Sequence, residues 1–332
     1  MEDDMSETIA LAAFTERGRE LARCLAERLG ATVRMDESLA DWTAENFRTR
    51  EALIFVGAAG IAVRSIAPYI QSKAEDPAVL CVDETGHWVV PILSGHLGGA
   101  NALARRLAAL TGGEAVITTA TDLNGLFAVD LWAKAQNMAV LQPERIKNVS
   151  AKILRGEKIT IDCPFPITGT APEHVCLGSP GDVLASYRAD KTEALQLVPR
   201  VLTLGVGCRR GTGADTLAAA LDAFCTERGI CPEAIENAAS IDLKQDESGL
   251  LAFCESHGWP MRFYSAEELC STPGNYTASA FVEATTGVDN VCERSAVLAS
   301  GGRLIEKKYA RNGVTFALAE HYVNYNWSCD NG

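Results

Sequence analysis

The chain has 332 residues, of which 47% are apolar, and its formal net charge is −13 at pH 7. This length exceeds what one compact domain usually needs, and the apolar fraction supports a hydrophobic core rather than a disordered chain. The acidic balance argues against general binding to DNA, RNA or anionic membranes, so we predict no nucleic-acid partner and no membrane partner.

Strand-like and helix-like runs alternate through the first part of the chain, which is typical of a parallel α/β layer. Gly30 ends the first predicted helix, and Thr121 with Asp122 caps a later one. We predict an N-terminal α/β domain at 1–137 with a doubly wound, mostly parallel sheet. Its predicted strands are 8–14, 52–56, 78–82, 89–93 and 115–118, and its predicted helices are 16–29 and runs ending near Tyr69 and at Thr111.

The middle of the chain is different, because prolines and glycines crowd it. We predict a small, loop-rich middle module and linker at 138–198. Within and just beyond this region, residues 191–200 are interpreted as the linker.

The α/β alternation returns in a predicted C-terminal α/β domain at 199–325. Asn312-Gly313 separates two apolar runs, which is a strong hairpin signal, so the sheet is expected to be mixed with an antiparallel edge. Its predicted strands are 201–206, 238–243, 261–264, 304–309 and 314–319, and its predicted helices are a run ending near Glu227, 249–257 and 289–299.

Targeting and cysteine signals are absent from the sequence. The acidic start and the lack of an apolar run of about 20 residues predict neither a signal peptide nor a membrane span, and hence a cytoplasmic protein. The eleven cysteines include no CxxC pair and the five histidines no HxxxH spacing. We therefore expect reduced thiols and no metal held by protein ligands.

Three glycine-rich turns each follow a predicted strand and open a predicted helix; they begin at Gly57, Ser94 and Gly207. Backbone N–H groups and the helix dipole at such a turn can hold an anion, although glycines also serve simply to make tight turns. Arginines accompany two of the turns and favour anion binding: Arg64, Arg209 and Arg210.

A nucleotide site is the alternative interpretation of Gly205-x-Gly207. The dinucleotide pattern needs a third glycine where this chain has Arg210, and no GxxxxGK[ST] motif is present. An NAD-dependent or ATP-dependent enzyme is therefore disfavoured.

Few side chains could carry catalysis. Ser94 lacks the glycine two places before it that a nucleophile elbow requires, since that residue is Ile92. His96 lies in a glycine-flanked loop and is a candidate general acid or base, or an axial ligand to a metal inside the substrate; a structural role is equally open.

Six other polar residues have two interpretations each. The pair Asp83-Glu84 is either solvated or a substitute base. Cys208 lies beside two arginines that would lower its pKa, but we favour a small residue in a crowded turn. Asp242, Lys244 and Glu247 either orient a substrate or form surface ion pairs.

Several segments together resemble one family, the cobalt-precorrin-5A hydrolases known as CbiG. The resemblance covers nearly the whole chain, and the combination of SGHLGGAN with a distant GVGCRRG is its most specific part; the middle module matches only loosely. The segments that carry the resemblance are 57–64, 76–79, 82–84, 94–101, 118–122, 205–211, 240–244 and 286–293.

The resemblance implies a reaction. A hydrolase of this family opens the ring-A lactone of cobalt-precorrin-5A, and a bridging carbon leaves as acetaldehyde to give cobalt-precorrin-5B, in anaerobic cobalamin biosynthesis. The substrate is a flat, polyanionic cobalt corrinoid, which localised arginines on an acidic protein would suit. No cofactor is expected, because cobalt is carried in the substrate.

The glycine-rich turns motivate a hypothesis about the roles of individual residues. His96 activates water or assists the leaving oxygen, with Asp83 or Glu84 as a substitute base, and N–H groups of residues 95–99 bind the oxyanion. The implied substrate-binding residues are Gly57, Gly60, Arg64, Ser94, Gly95, Gly98, Gly99, Asn101, Thr121, Asp122, Gly207, Cys208, Arg209, Arg210, Asp242, Lys244, Thr286, Gly287 and Glu293.

A non-catalytic carrier for a cobalt-corrinoid intermediate is the competing hypothesis, since the C-terminal module of the family also occurs as a separate small protein. A carrier would bind the corrinoid without producing acetaldehyde. The sequence leaves open a homodimer and contacts with other cobalamin-pathway enzymes.

Overall fold

The computed structural model describes residues 8–72, 75–96, 98–119 and 124–329. The chain divides into two compact units, the first comprising 1–131 with 146–157 and the second 132–145 with 158–332. The predicted three-domain boundaries stay a prediction. Within the described residues, no helix is both long enough and apolar enough to cross a membrane.

The first unit is built on a six-stranded sheet with the strand order β2-β1-β3-β4-β5-β6. All neighbouring strands are parallel except β4 and β5, which are antiparallel, so the predicted mostly parallel sheet is confirmed. The strands are β1 Ile9–Ala13, β2 Thr32–Val33, β3 Ala52–Val56, β4 Ala78–Val82, β5 Trp88–Leu93 and β6 Glu114–Ala115.

Apolar side chains cover both faces of this sheet. Along β3, Ile54 and Val56 pack into one core cluster, and Leu53 and Phe55 pack into the other. This arrangement explains why the central strands are continuous apolar runs and confirms the doubly wound architecture. The helices are α1 Glu16–Leu29, α2 Leu39–Thr49, α3 Ala59–Ile66, α4 Ala100–Thr111, α5 Val129–Ala135 and α6 Ile146–Leu154.

The capping residues at its two ends predicted the bounds of α1 correctly. Thr15 accepts a hydrogen bond from the N–H of Gly18, and Gly30 ends the helix in the left-handed conformation with φ 65°. Helix α2 was not predicted, and α3 ends before Tyr69, where the predicted helix ended. The predicted cap at Thr121 and Asp122 lies outside the described residues.

The middle region forms a sheet with the strand order β10-β8-β11-β12-β7, and the short strands β9 and β18 pair with each other. The prediction of a linker at 191–200 is wrong, because β12 is fully buried between two neighbouring strands. The strands are β7 Met138–Val140, β8 Ile159–Asp162, β9 Ile167–Thr168, β10 Val175–Leu177, β11 Val183–Ala185, β12 Leu195–Pro199 and β18 Tyr325–Asn326.

The C-terminal sheet has the strand order β15-β14-β13-β17-β16. Strands β13, β14 and β15 run parallel, while β17 is antiparallel to β13 and β16, so the predicted mixed sheet is confirmed. The strands are β13 Leu202–Cys208, β14 Ile235–Ile241, β15 Met261–Tyr264, β16 Arg303–Arg311 and β17 Val314–Glu320, and the helices are α7 Ala214–Arg228, α8 Ser248–Ser256, α9 Ala266–Ser271, α10 Ala280–Thr286 and α11 Cys292–Ser300.

The hairpin between β16 and β17 turns at the predicted dipeptide. Asn312 and Gly313 both have positive φ, 51° and 81°, as a type I′ turn requires.

Gly205 allows α11 to lie directly on β13. A Cβ atom at this position would lie 1.7 Å from the carbonyl oxygen of Cys292 in the first turn of that helix. The first glycine of the Gly-x-Gly motif is therefore required for helix–strand packing.

The substitution Gly205→Ala is expected to lower the free energy of unfolding by about 3 kcal/mol, because α11 must move away from the sheet. Gly213→Ala is the matched control, since a Cβ atom there meets nothing within 4 Å, and it should cost less than about 1 kcal/mol. Urea unfolding measures both. Equal losses in the two variants would contradict the packing role.

Candidate functional site

A cleft of about 700 Å³ opens in the second unit at the carboxyl ends of β13 and β14. The carboxyl ends of parallel strands are where open α/β sheets usually bind ligands. Helix α10 and the β16–β17 hairpin supply further walls. The lining includes Gly207, Cys208, Arg209, Arg210, Ser240, Ile241, Leu243, Lys244, Phe281, Val282, Thr285, Thr286, Asn290, Lys308, Gly313 and Thr315.

Positive charge dominates this cleft. Four cationic side chains line it, and no Asp or Glu occurs among the described residues that do so. Lys244 contacts Glu247 at 3.3 Å, and the exposed Arg210 lies 3.8 Å from Asp246. Arg209 and Lys308 form no ion pair with a described residue. In a protein of net charge −13, this concentration of cations indicates an anion-binding site.

Three amide groups of the turn after β13 are already used within the protein. The N–H of Arg209 donates to the carbonyl of Gly313 at 3.2 Å, and the N–H of Thr212 donates to the carbonyl of Arg209 at 3.4 Å. The N–H of Gly211 donates to a carboxylate oxygen of Glu247 at 2.8 Å. These three amides are therefore not available to a ligand in this arrangement, which leaves the side chains of the turn as the main candidates for anion binding.

Glu247 fills the place that an external anion would occupy at the turn. The N–H of Gly211 has the largest effect in holding the pKa of Glu247 below its usual range, and Lys244 acts in the same direction. The carboxylate is therefore ionised at neutral pH and ties the turn to the start of α8.

Cys208 does not have the lowered pKa that adjacent arginines would give. Burial raises the pKa of its thiol, and the nearby Lys244 offsets this only in part. The interpretation of Cys208 as a small residue in a crowded turn agrees with this environment.

Glu293 was a predicted substrate-binding residue, but its carboxylate is fully buried and held by the protein. It accepts hydrogen bonds at 2.8 Å from both the N–H and the hydroxyl of Thr277, and at 2.6 Å from the N–H of Lys308. Direct binding is therefore contradicted; Glu293 joins two walls of the cleft.

Lys308 was missed by the sequence analysis. The pairing of β16 with β17 is irregular between Glu306 and Tyr309, and the N–H of Lys308 bonds to Glu293. An irregularity of this kind, like a β-bulge, changes the direction in which the side chains point. Because alternation along the strand breaks here, the sequence offered no signal that Lys308 rather than Lys307 lines the cleft.

Six of the predicted C-terminal residues line the cleft: Gly207, Cys208, Arg209, Arg210, Lys244 and Thr286. Asp242 and Gly287 are not among the lining residues. Asp242 instead begins a short 3-10 helix, and Gly287 ends α10 with φ 77°.

In the first unit, the SGHLGGAN segment forms a tight loop between β5 and α4. Ser94 has a positive φ of 56°, and its hydroxyl donates to the carbonyl of Asp76 at 2.9 Å. A Cβ atom on Gly98 would lie 2.3 Å from the Cβ of Ser94, and one on Gly95 would lie 2.9 Å from Oδ1 of Asn101. Close packing therefore requires these two glycines.

Hydrogen bonds inside the loop use one of the predicted oxyanion donors, the N–H of Gly99, and also the N–H of Asn101. The N–H of Gly99 donates to the carbonyl of His96 at 2.9 Å, and the N–H of Asn101 donates to that of Gly95 at 2.9 Å. The Asn101 amide also donates to Oγ1 of Thr119 at 2.9 Å. Gly99 and Asn101 thus support the loop.

His96 pairs with an acid that the sequence analysis missed. Its Nδ1 lies 3.1 Å from Oδ2 of Asp130, and the two side chains are 15% and 9% exposed. A carboxylate at Nδ1 fixes the orientation and the tautomer of a histidine ring. No sequence spacing links residue 130 to residue 96, so this partner was visible only in the fold.

The structure separates His96 from Asp83 and Glu84. Because β4 and β5 are antiparallel, with Leu93 opposite Val79, the His96 loop lies at the edge where β4 begins. Asp83 and Glu84 follow the end of β4, about 13 Å away along the strand. The prediction that either acid substitutes for His96 is therefore contradicted.

Asp83 instead stabilises the β4–β5 turn. Burial acts to raise its pKa, but hydrogen bonds from Thr85, His87 and Trp88 together outweigh this and lower it. Glu84 accepts a hydrogen bond from the hydroxyl of Thr15 at 2.7 Å.

Gly57, Gly60 and Arg64 lie at the same edge of the sheet as Asp83, after the end of β3 and in α3. Gly57 follows β3, and its N–H donates to the carbonyl of Val82. A Cβ atom on Gly60 would lie 3.4 Å from the guanidinium of Arg64, so this side chain folds back over the start of α3. Thr121 and Asp122 lie outside the described residues.

No group of three or more His, Cys, Asp or Glu side chains is arranged to hold a metal ion within the described part of the chain.

Two family models match this chain. Residues 41–122 match the model described as Cobalamin synthesis G N-terminal, and residues 202–319 match Cobalamin synthesis G C-terminus.

Individual relatives match over most of the chain. A cobalt-precorrin-5A hydrolase from Salmonella typhimurium is 34% identical over 342 residues, covering 94% of this chain and 97% of its own. A second, from Priestia megaterium, is 31% identical over 297 residues, covering 82% and 79%. Protein CobE from Sinorhizobium sp is 31% identical over 121 residues, covering 36% of this chain and 79% of its own.

Cys208 is expected to react slowly with iodoacetamide at pH 8, because burial raises the pKa of its thiol. The exposed Cys24 and Cys270 are the internal controls and should be alkylated first. Peptide mass spectrometry over time measures all three. Alkylation of Cys208 ahead of both controls would mean that the arginines activate it.

Proposed function

We infer that this chain, which belongs to the CbiG family, is a cobalt-precorrin-5A hydrolase. It opens the ring-A lactone of cobalt-precorrin-5A, with loss of acetaldehyde, to give cobalt-precorrin-5B. The relatives that match most of its length carry the same enzyme name. Nothing in these matches favours a non-catalytic carrier.

The cationic cleft of the second unit is the observation that carries the proposed mode of binding. The substrate is a flat ring with carboxylates at its edge. Arg209, Arg210, Lys244 and Lys308 can pair with such carboxylates, and no described acidic side chain lines the cleft to compete with them. The apolar part of the lining suits the ring itself.

We assign His96 as the general base. With Asp130 accepting a hydrogen bond from Nδ1–H, Nε2 of the neutral imidazole takes a proton from water. The water oxygen adds to the lactone carbonyl carbon, and the bond from that carbon to the ring oxygen breaks. The imidazolium returns its proton to the leaving oxygen to give the alcohol, and the carboxylic acid formed ionises to the carboxylate. Asp130 is a positioning residue that fixes the ring and stabilises the imidazolium.

The proposal extends to the cofactor, the location and the partners of the protein. Cobalt arrives within the substrate, and the enzyme has no cofactor of its own. The protein acts in the cytoplasm. A homodimer and contacts with other enzymes of the cobalamin pathway complete the proposed set of partners.

Lys308→Met is expected to raise KM about ten-fold, because one charge-assisted hydrogen bond to a carboxylate is lost, with kcat changed less than about two-fold. Lys307→Met is the matched control, since this adjacent lysine is exposed and does not line the cleft. Acetaldehyde release at varied substrate concentration measures both. Equal KM values for the two variants would contradict the cleft as the carboxylate site.

His96→Ala is expected to lower kcat by about 10²–10⁴-fold, as loss of a general base does. Asp130→Asn should lower kcat by about 10²-fold with KM and melting temperature close to those of the wild type, because only the orientation of His96 is lost.

His87→Ala is the control for these two variants. His87 is exposed and lies beside Trp88 at the start of β5, away from the His96 loop. Its acetaldehyde release should match that of the wild type. Near-normal turnover in His96→Ala would remove this histidine from the mechanism.

A further inference from the structure

Phe281 is an exposed aromatic side chain beside the cationic cleft. It is 81% exposed, and Leu243, which also lines the cleft, is 46% exposed. Single exposed apolar residues are common, but two of them in one cleft rimmed by cations mark a binding surface.

Helix α10, which carries Phe281, has no buried residue. Phe281 and Thr285 are four residues apart, so they share one face of the helix, and both line the cleft. The neighbouring Val282 packs against a small cluster that contains Val288. The Val282 contact therefore fixes the rotation of α10 and directs Phe281 away from the core.

Polar contacts hold the segment that leads into α10. Glu293 accepts two hydrogen bonds from Thr277, and the Asn290 amide donates to the carbonyl of Thr277 at 2.9 Å. The N–H of Ser279 donates to the carbonyl of Asp289 at 2.9 Å. The segment is thus anchored at its base, while the face bearing Phe281 has no apolar partner in the core clusters of the described residues.

We propose that Phe281 is a specificity-determining residue that lies against the conjugated face of the macrocycle. This inference rests on the proposed function. Cations alone pair with carboxylates on a scaffold of any shape. An aromatic ring adds contact area and stacking only for a flat, conjugated ligand, so it selects planar polycarboxylates over flexible ones.

The substitution Phe281→Ala is expected to raise the Kd of cobyrinic acid, a stable cobalt corrin with free carboxylates, about ten-fold. Phe281→Trp should keep the wild-type affinity, and Phe281→Leu should fall between the two, because leucine keeps apolar area but loses the flat ring. Titration calorimetry measures each. Since Phe281 is largely exposed, the variants should keep the wild-type melting temperature.

Two controls separate stacking from charge. Tyr322→Ala removes another ring that is 80% exposed but lies outside this cleft, and it should leave the Kd unchanged. Butane-1,2,3,4-tetracarboxylate is a flexible anion of similar chemistry; Lys308→Met should weaken its binding, and Phe281→Ala should not.

The outcomes distinguish the inference from its premise. Weaker corrin binding by Phe281→Ala, with unchanged tetracarboxylate binding, supports the inference. Unchanged corrin binding in Phe281→Ala while Lys308→Met weakens it overturns the role of Phe281 and leaves the proposed function standing. No binding of cobyrinic acid to the wild type would contradict the proposed function itself.

Discussion

Unpaired positive charge in the C-terminal cleft is the constraint on which the functional account depends. The protein has 43 acidic and 30 basic residues, yet no described acid lines the space that four cations share. Keeping like charges together costs Coulomb energy unless an anion joins them. Arg209 and Lys308 have no described ion-pair partner. A ligand with several carboxylates can therefore pair with both side chains, which no described acidic residue does.

Hydrogen bonds from backbone N–H groups explain why Glu247 and Glu293 lie close to the cleft without lining it. Glu247 takes up the N–H of Gly211, and Glu293 takes up those of Thr277 and Lys308. Each carboxylate satisfies backbone groups that would otherwise be available to a ligand. Ligand recognition therefore depends more on the cationic side chains of the cleft than on main-chain amides. The charge and length of these side chains suit carboxylates at the edge of a large ring.

The sequence predicted the parts of the fold that local chemistry determines. Thr15 and Gly30 delimit α1, and Asn312-Gly313 forms the hairpin, because capping and turn geometry depend on neighbours in the chain. The signature glycines were harder to interpret. Gly98 and Gly205 face Ser94 and α11 at distances that exclude a Cβ atom, so packing accounts for positions that resembled anion turns. Asp130, Lys308 and Phe281 could not be predicted, because tertiary contacts or a strand bulge place them.

The position of cobalt in a bound corrin tests directly whether the cationic cleft holds the macrocycle. Crystals soaked with cobyrinic acid can be measured at the cobalt absorption edge, so that anomalous scattering locates the metal and hence the macrocycle. We expect a cobalt peak within the cleft lined by Arg209 and Lys308, with ligand carboxylates in hydrogen-bond contact with these side chains. A macrocycle bound elsewhere, with both cations left facing solvent, would contradict it.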